Sequence, residues 1–108
     1  MNATNTKVDL SQVAGPVYTG RDRGEQLRLK YDLDRLDEGG TVVEVLIPDS
    51  TYTVSSSFFL GLFGPSVRKC GSVVGFREKF RFKAPAFLEP VIEGHAALAL
   101  QGRRILAT

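Results

Sequence analysis

The segment from Thr41 to Ile47 constrains the fold more than any other. It holds Val42, Val43, Val45, Leu46 and Ile47 almost without interruption, between Gly39-Gly40 and Pro48. A short β-branched run bounded by Gly and Pro is too brief for a core helix and fits a strand buried on both faces. It is predicted as the central strand of a sheet, and Pro48 and Asp49-Ser50 end it. Helices must then cover that sheet, and the segments on either side have the right form.

Upstream, Val8, Leu10 and the Val13 region read as a first strand. Ala14-Gly15-Pro16 is a turn signal, and Val17-Tyr18-Thr19 a short second strand. Gly20-Arg21-Asp22-Arg23-Gly24 breaks the chain again. Asp22 followed by Glu25 has the form of a capping box. From Glu25 to about Asp37, Leu29, Leu33 and Leu36 recur at helical spacing, and Gly39-Gly40 closes that helix.

Downstream, Ser55, Ser56 and Ser57 supply N-caps for a helix carrying Phe58, Phe59, Leu62, Phe63 and Val67. Gly64-Pro65 predicts a kink or early break, and Gly71 closes the helix. From Phe76 to Lys83 the pattern alternates. Phe76, Phe80 and Phe82 face one way and Arg77, Lys79, Arg81 and Lys83 the other, as in a strand with one buried face. Ala84-Pro85 opens a last helix with Leu88, Ile92 and Ala96 on one stripe and Leu100 below it. Pro90 is tolerable only in a first turn, so the helix is expected to begin near Phe87. The fold expected is α/β, with a small mixed sheet and about three helices in the order β-β-α-β-α-β-α. At 108 residues the chain has room for one domain, with residues 1–6 expected to be disordered and 103–108 an unassigned tail.

The order of elements, and particular residues within them, resemble the STAS domains found in anti-anti-sigma factors and in transporter tails. More narrowly, the chain is similar to the STAS-like group that carries a domain-of-unknown-function label. The matching pieces are Gly20-Arg21-Asp22-Arg23-Gly24-Glu25, the strand ending at Ile47, Ser55-Ser56-Ser57-Phe58-Phe59-Leu60-Gly61-Leu62-Phe63-Gly64, and Phe76-Arg77-Glu78-Lys79-Phe80. They fall between about Gly15 and Leu100. The resemblance implies a non-catalytic regulatory module that works in signalling by binding another protein, such as a kinase-like ATPase or another regulator. It also implies a serine at the start of the helix after the central strand, phosphorylated by the partner to switch binding off. By position Ser55 or Ser56 matches that serine, with Ser57 beside them. Ser55, Ser56, Phe59 and Gly61 would contact the partner.

The residues themselves leave other readings open. The serines serve equally as plain helix caps. Gly20, Arg21, Arg23 and Gly24 have the make-up of an anion-binding loop for a nucleotide or other phosphate, or of a simple turn into a helix. The sequence is neither a Walker loop nor GxGxxG. Arg77, Lys79, Arg81 and Lys83 suggest a nucleic-acid-binding face, against which stands protection of an edge strand by cations. Fourteen Lys and Arg against twelve Asp and Glu leave a net charge of only +2, so nucleic acid is the disfavoured partner.

The inventory for catalysis is poor. Asp32, Asp34, Asp37 and Glu38 read as a solvated helix face, Cys70 as a small hydrophobe at a helix end, and His95 as a surface or core-rim histidine. One Cys and one His leave no metal cluster and no internal disulfide. No enzyme, metal or cofactor is expected. The polar N-terminus and the lack of a long apolar run predict a cytoplasmic chain with no membrane partner. Oligomeric state stays open.

Overall fold

The computed structural model describes residues 6–12 and 17–107, with side chains described except at position 12 and from 102 on. The expected turn at Ala14-Gly15-Pro16 and the Val13 end of the first strand lie outside the described residues. So do Met1, the four residues after it and Thr108.

Three strands form a parallel sheet: β1 (Thr6–Asp9), β3 (Val43–Leu46) in the centre, and β5 (Phe80–Lys83). Two more, β2 (Val17–Tyr18) and β4 (Thr53–Val54), pair in parallel as a separate ribbon. Between them run α1 (Arg21–Lys30), α2 (Leu33–Glu38), α3 (Ser56–Cys70), α4 (Val73–Lys79) and α5 (Glu89–Ala107). The architecture is α/β, as the alternation of patterns predicted. The sheet is not mixed, since every described pairing is parallel. Thr6 belongs to β1, and α5 continues through the stretch the sequence left unassigned.

The central strand differs from expectation. Val43, Val45 and Ile47 are buried, whereas Val42, Glu44 and Leu46 are half-buried, so one sheet face meets the core and the other stays open. Register sets Lys7, Glu44 and Arg81 side by side on the open face. A parallel sheet is usually covered on both sides. The Val and Leu here outnumber the positions that the helices reach.

The helix expected over Glu25–Asp37 is two helices. Asp32 sits in the left-handed region with φ 56°, a conformation that Asp tolerates better than most residues, and it turns the chain between α1 and α2. No capping box forms. The helix already begins at Arg21 behind Gly20, with no side-chain cap, which puts Asp22 inside its first turn. The buried stripe is Leu27, Arg28, Leu33 and Leu36, while Leu29 is 76% exposed. This rotation follows from the packing of α1 on α3. A Cβ on Gly24 would collide with the Phe58 carbonyl of α3, and one on Gly61 with the Arg21 carbonyl of α1. With Gly24 facing α3, the positions three and four residues on, Leu27 and Arg28, turn inward and Leu29 turns out.

Pro65 does not break α3, which runs unbroken to Gly71 at φ 82°. Phe58, Phe59, Leu62 and Phe63 before it, and Ser66 and Val67 after it, are all buried. Burial of that many side chains, at about 1.5–3 kcal/mol for each large one, outweighs the roughly 3 kcal/mol cost of an interior proline. The alternating segment from Phe76 also divides. Ser72 caps α4 by accepting from the Gly75 amide at 2.9 Å, so Phe76, Arg77 and Lys79 are helical and the strand starts at Phe80. Phe76 and Phe80 are four residues apart, a spacing that serves a helix face as well as a strand face. Their rings stack at 5.0 Å, with Phe63 5.6 Å from Phe80 and Phe59 6.0 Å from Phe76, which joins α3, α4 and β5 in one aromatic core.

The glycine crossing generates a test. Gly24→Ala and Gly61→Ala each force a methyl group into backbone of the facing helix, and each is expected to lower stability by about 1–3 kcal/mol or more. Gly40→Ala, with open space around the new atom, is expected to stay within about 0.5 kcal/mol of the parent in urea denaturation.

Candidate functional site

The loops singled out in the sequence come together. β2 and β4 lie side by side, with Val17 opposite Thr53 and Tyr18 opposite Val54. Each strand runs at its carboxyl end directly into a helix, β2 through Thr19 and Gly20 into α1, and β4 through Ser55 into α3. The Ser55 amide donates to the Tyr18 carbonyl at 2.9 Å, which locks the two exits together. Two helix amino ends therefore open on one surface. The first-turn amides of a helix have no carbonyl partners within it, and its dipole leaves this end positive.

Ser55 is the N-cap of α3, accepting from the Phe58 amide at 3.1 Å. Its hydroxyl is thereby occupied in capping. Ser56 is half-buried and Ser57 exposed. Gly20 adopts φ 93°, a left-handed conformation natural to glycine, and leads into α1. Arg21 is exposed, and the Arg23 guanidinium sits 5.8 Å over the buried Tyr18 ring. Tyr18 in turn donates its hydroxyl to the Leu10 carbonyl at 2.8 Å, and burial pushes its ionisation up. Phe59, Gly61 and Gly24 are placed inside rather than on this surface, where they form the contact between α3 and the rest of the fold.

A buried polar cluster holds the two helices behind the surface. The Arg28 guanidinium, 8% exposed, donates to the Leu62 carbonyl and Ser66 hydroxyl at 2.9 Å, to Asp34 at 2.7 and 3.1 Å, and to Asp37 at 2.6 Å. Those bonds use all five of its donors. Ser66 donates to Asp37 at 2.8 Å. Asp37 was expected on a solvated face, but its side chain is only 5% exposed and joins α2 to α1 and α3. The arginine's place on the inner stripe was the only available signal, and a leucine pattern read through Leu29 concealed it.

His95 has a structural task that sequence could not assign. Because the Tyr18 carbonyl takes the Ser55 amide, the Val54 carbonyl of the parallel ladder points away from β2. His95 of α5 binds that carbonyl through Nε2 at 2.8 Å, with its ring 5.5 Å from Phe59. The ring nitrogen must carry the proton, since a carbonyl only accepts. His95 therefore closes the outer edge of β4, immediately before the serine cap. Cys70 is half-buried at the end of α3, and burial raises its thiol above the ordinary range, a setting that disfavours the reactive thiolate.

The four cations proposed as one face do not share one. Arg77 and Lys79 belong to α4. Arg77 pairs with Glu89 of α5 and reaches Glu93 at 3.8 Å. Lys79 donates to the Gly39 and Thr41 carbonyls at 2.8 and 3.0 Å. Only Arg81 and Lys83 lie together, on the open side of β5, and the sheet's aromatics face the other way. Among the described residues no helix is long and apolar enough to cross a membrane. Comparison of the chain with protein-family models, with curated proteins and with solved structures returns no match.

Two outcomes follow from these contacts. Asp37→Ala, which strands a buried guanidinium, is expected to cost about 3–5 kcal/mol. Asp34→Ala, which removes a carboxylate whose own side chain is 78% exposed, should cost less than about 1 kcal/mol in the same denaturant titration. His95→Ala leaves the Val54 carbonyl without its donor and is expected to cost about 1–3 kcal/mol. His95→Gln, whose amide reaches in the same direction, should recover part of that loss in thermal melts.

Proposed function

We propose that the chain is a non-catalytic protein-interaction module, similar in its working to the STAS regulators, with the paired amino ends of α1 and α3 as its contact surface. The observation that carries this reading is the meeting of the Gly20 loop and the Ser55 loop on one surface. Neither loop had to lie near the other, since 35 residues separate them in sequence. His95 is directed to a backbone carbonyl rather than to a serine hydroxyl, which favours binding over hydrolysis.

In this reading Ser57, exposed, and Ser56, half-buried, are the hydroxyls beside two positive helix ends. A phosphate on either would add about −1.5 to −2 charges with three acceptor oxygens. Nearby amides would hold it, and it would exclude an acidic partner surface. The expected partner is a kinase-like ATPase or a regulator under its control, and the setting a reducing cytoplasm. The finer topology of the STAS fold belongs to the same proposal.

A second reading draws on the same convergence: the paired amino ends as the seat of a nucleotide phosphate, with Arg21 adding charge. Nucleic-acid binding through Arg77, Lys79, Arg81 and Lys83 is disfavoured, because two of the four are already engaged on α4.

Affinity purification from the native cell, with wild type beside Ser56→Asp/Ser57→Asp, tests the first reading. A stoichiometric partner is expected with wild type and should be lost with the variant, while the melting temperature is kept. A partner retained equally by both would sink the surface assignment. Thermal shift with a nucleotide panel separates the second reading. A ligand at 100 times its Kd raises stability by about 2.7 kcal/mol, and no shift with any nucleotide dismisses it.

A further inference from the structure

The three-stranded sheet ends in a cleft. Because β1, β3 and β5 are parallel, their carboxyl ends lie on one side, and Asp9, Leu46 and Lys83 share a register row there. A cleft of about 510 Å³ opens between that row and the segments that leave the strands. Its size falls within the roughly 300–1,000 Å³ of small-molecule sites. The carboxyl side of a parallel sheet is also the side on which open α/β folds bind ligands. The cleft shares no lining residue with the paired amino ends of α1 and α3.

Its lining divides by chemistry. Leu46, Pro48 and Ala84 supply the apolar part, and Asp9, Asp49 and Lys83 the charges. Neighbouring strands lie about 4.8 Å apart, so Asp9 and Lys83, on either side of Leu46, stand roughly 10 Å apart along the row. Ser11 holds the Asp9 carboxylate, donating its amide at 2.9 Å and its hydroxyl at 2.5 Å. The Ile47 amide donates to the Lys83 carbonyl at 2.8 Å, which fastens the rim of the cleft from β3 to β5. Asp49 and Lys83 are exposed, and neither side chain has an ion pair or hydrogen bond among the described residues. Both keep their bonding capacity for a ligand.

We propose that this cleft binds a zwitterion of the amino-acid kind. Its carboxylate meets Lys83, its ammonium meets Asp49 and Asp9, and its hydrocarbon lies on Leu46, Pro48 and Ala84. Charge makes the selection. A polyphosphate would bring several negative charges to two carboxylates and a single ammonium. A metal ion or a simple amine would be opposed by Lys83, and an uncharged sugar would leave the opposed charges unmatched. A zwitterion gives each of them its complement. The neighbouring row of Lys7, Glu44 and Arg81 carries one excess positive charge, which offsets the excess negative charge of the cleft. No net charge is therefore asked of the ligand.

The flexible lysine stem leaves the ligand's length open. A free amino acid and a dipeptide present the same two charged ends, and both carry hydrocarbon between or beside them. The cleft opens to solvent, where ion pairs are weak, so a Kd of about millimolar order is expected. This site goes beyond the partner surface at the paired helix ends, and failure of either leaves the other standing.

Titration with leucine and with the dipeptide alanyl-leucine, followed in amide correlation spectra, tests it. Saturable shifts are expected at Leu46, Ile47 and Lys83, and the tighter of the two probes identifies the source. Isocaproate, which lacks the ammonium, and isoamylamine, which lacks the carboxylate, should each bind about tenfold more weakly than leucine or not at all. Asp49→Asn should weaken the zwitterion about tenfold. Lys83→Glu should lose leucine and gain isoamylamine, an exchange that a merely structural lysine would not produce. Both variants should melt close to the parent, because both side chains are exposed. No shift at the strand ends with either zwitterion overturns the proposal. So does equal binding of isocaproate or isoamylamine by the parent, or leucine affinity unchanged in Lys83→Glu.

Discussion

The crossing of α1 and α3 at Gly24 and Gly61 sets most of what surrounds it. Two helices whose backbones meet this closely have little freedom to rotate or slide, because the first atom added to either glycine strikes a carbonyl of the other. That fixed rotation aims Arg28 inward. The buried guanidinium must then find partners, and α2 supplies them after the chain turns at Asp32. The same crossing places the two amino ends beside one another. The Ser55–Tyr18 bond and the short parallel ribbon are the backbone expression of that juxtaposition. Close backbone approach, a buried ion cluster and the convergent loops are one arrangement viewed at three distances.

Much of the fold was legible because periodicity survives tertiary packing when a segment has a single role. The central strand, the serine-capped α3 and the late helix with Pro90 near its start were all visible for that reason. The pattern misled where one set of spacings satisfies two structures. Phe76, Phe80 and Phe82 alternate as a strand does, but Phe76 and Phe80 also share a helix face, and Ser72 with Gly75 decides between them. Leu29, Leu33 and Leu36 formed a convincing stripe until Asp32 turned the chain. Gly24 and Gly61 were read as loop and motif residues, since a glycine's pattern does not reveal which neighbour requires it. The meeting of the Gly20 and Ser55 loops was foreseeable only as a condition, because parallel pairing leaves no local signal in sequence.

Charge follows the same division of labour. The chain is nearly balanced, and its cations are spent locally: Arg28 inside, Arg77 between α4 and α5, Lys79 on the carbonyls that precede β3, and Lys69 on Glu38 of α2. Each brings together elements that are distant in the chain. What remains exposed is of mixed sign, as in the Lys7, Glu44 and Arg81 row of the open sheet face. A field strong enough to gather a polyanion does not arise from such a distribution.

The bond from His95 to Val54 joins positions 41 residues apart, in a chain whose described strands all pair in parallel. Contacts of this span form only after long loops have closed, and they slow folding relative to chains built from near neighbours. β4 is two residues long and gains its outer hydrogen bond from the last helix. During synthesis the serine turn therefore leaves the ribosome well before the helix that completes its edge. For that interval the ribbon has an open side, and the order of emergence exposes this part of the chain longest to whatever else in the cell binds an unpaired strand.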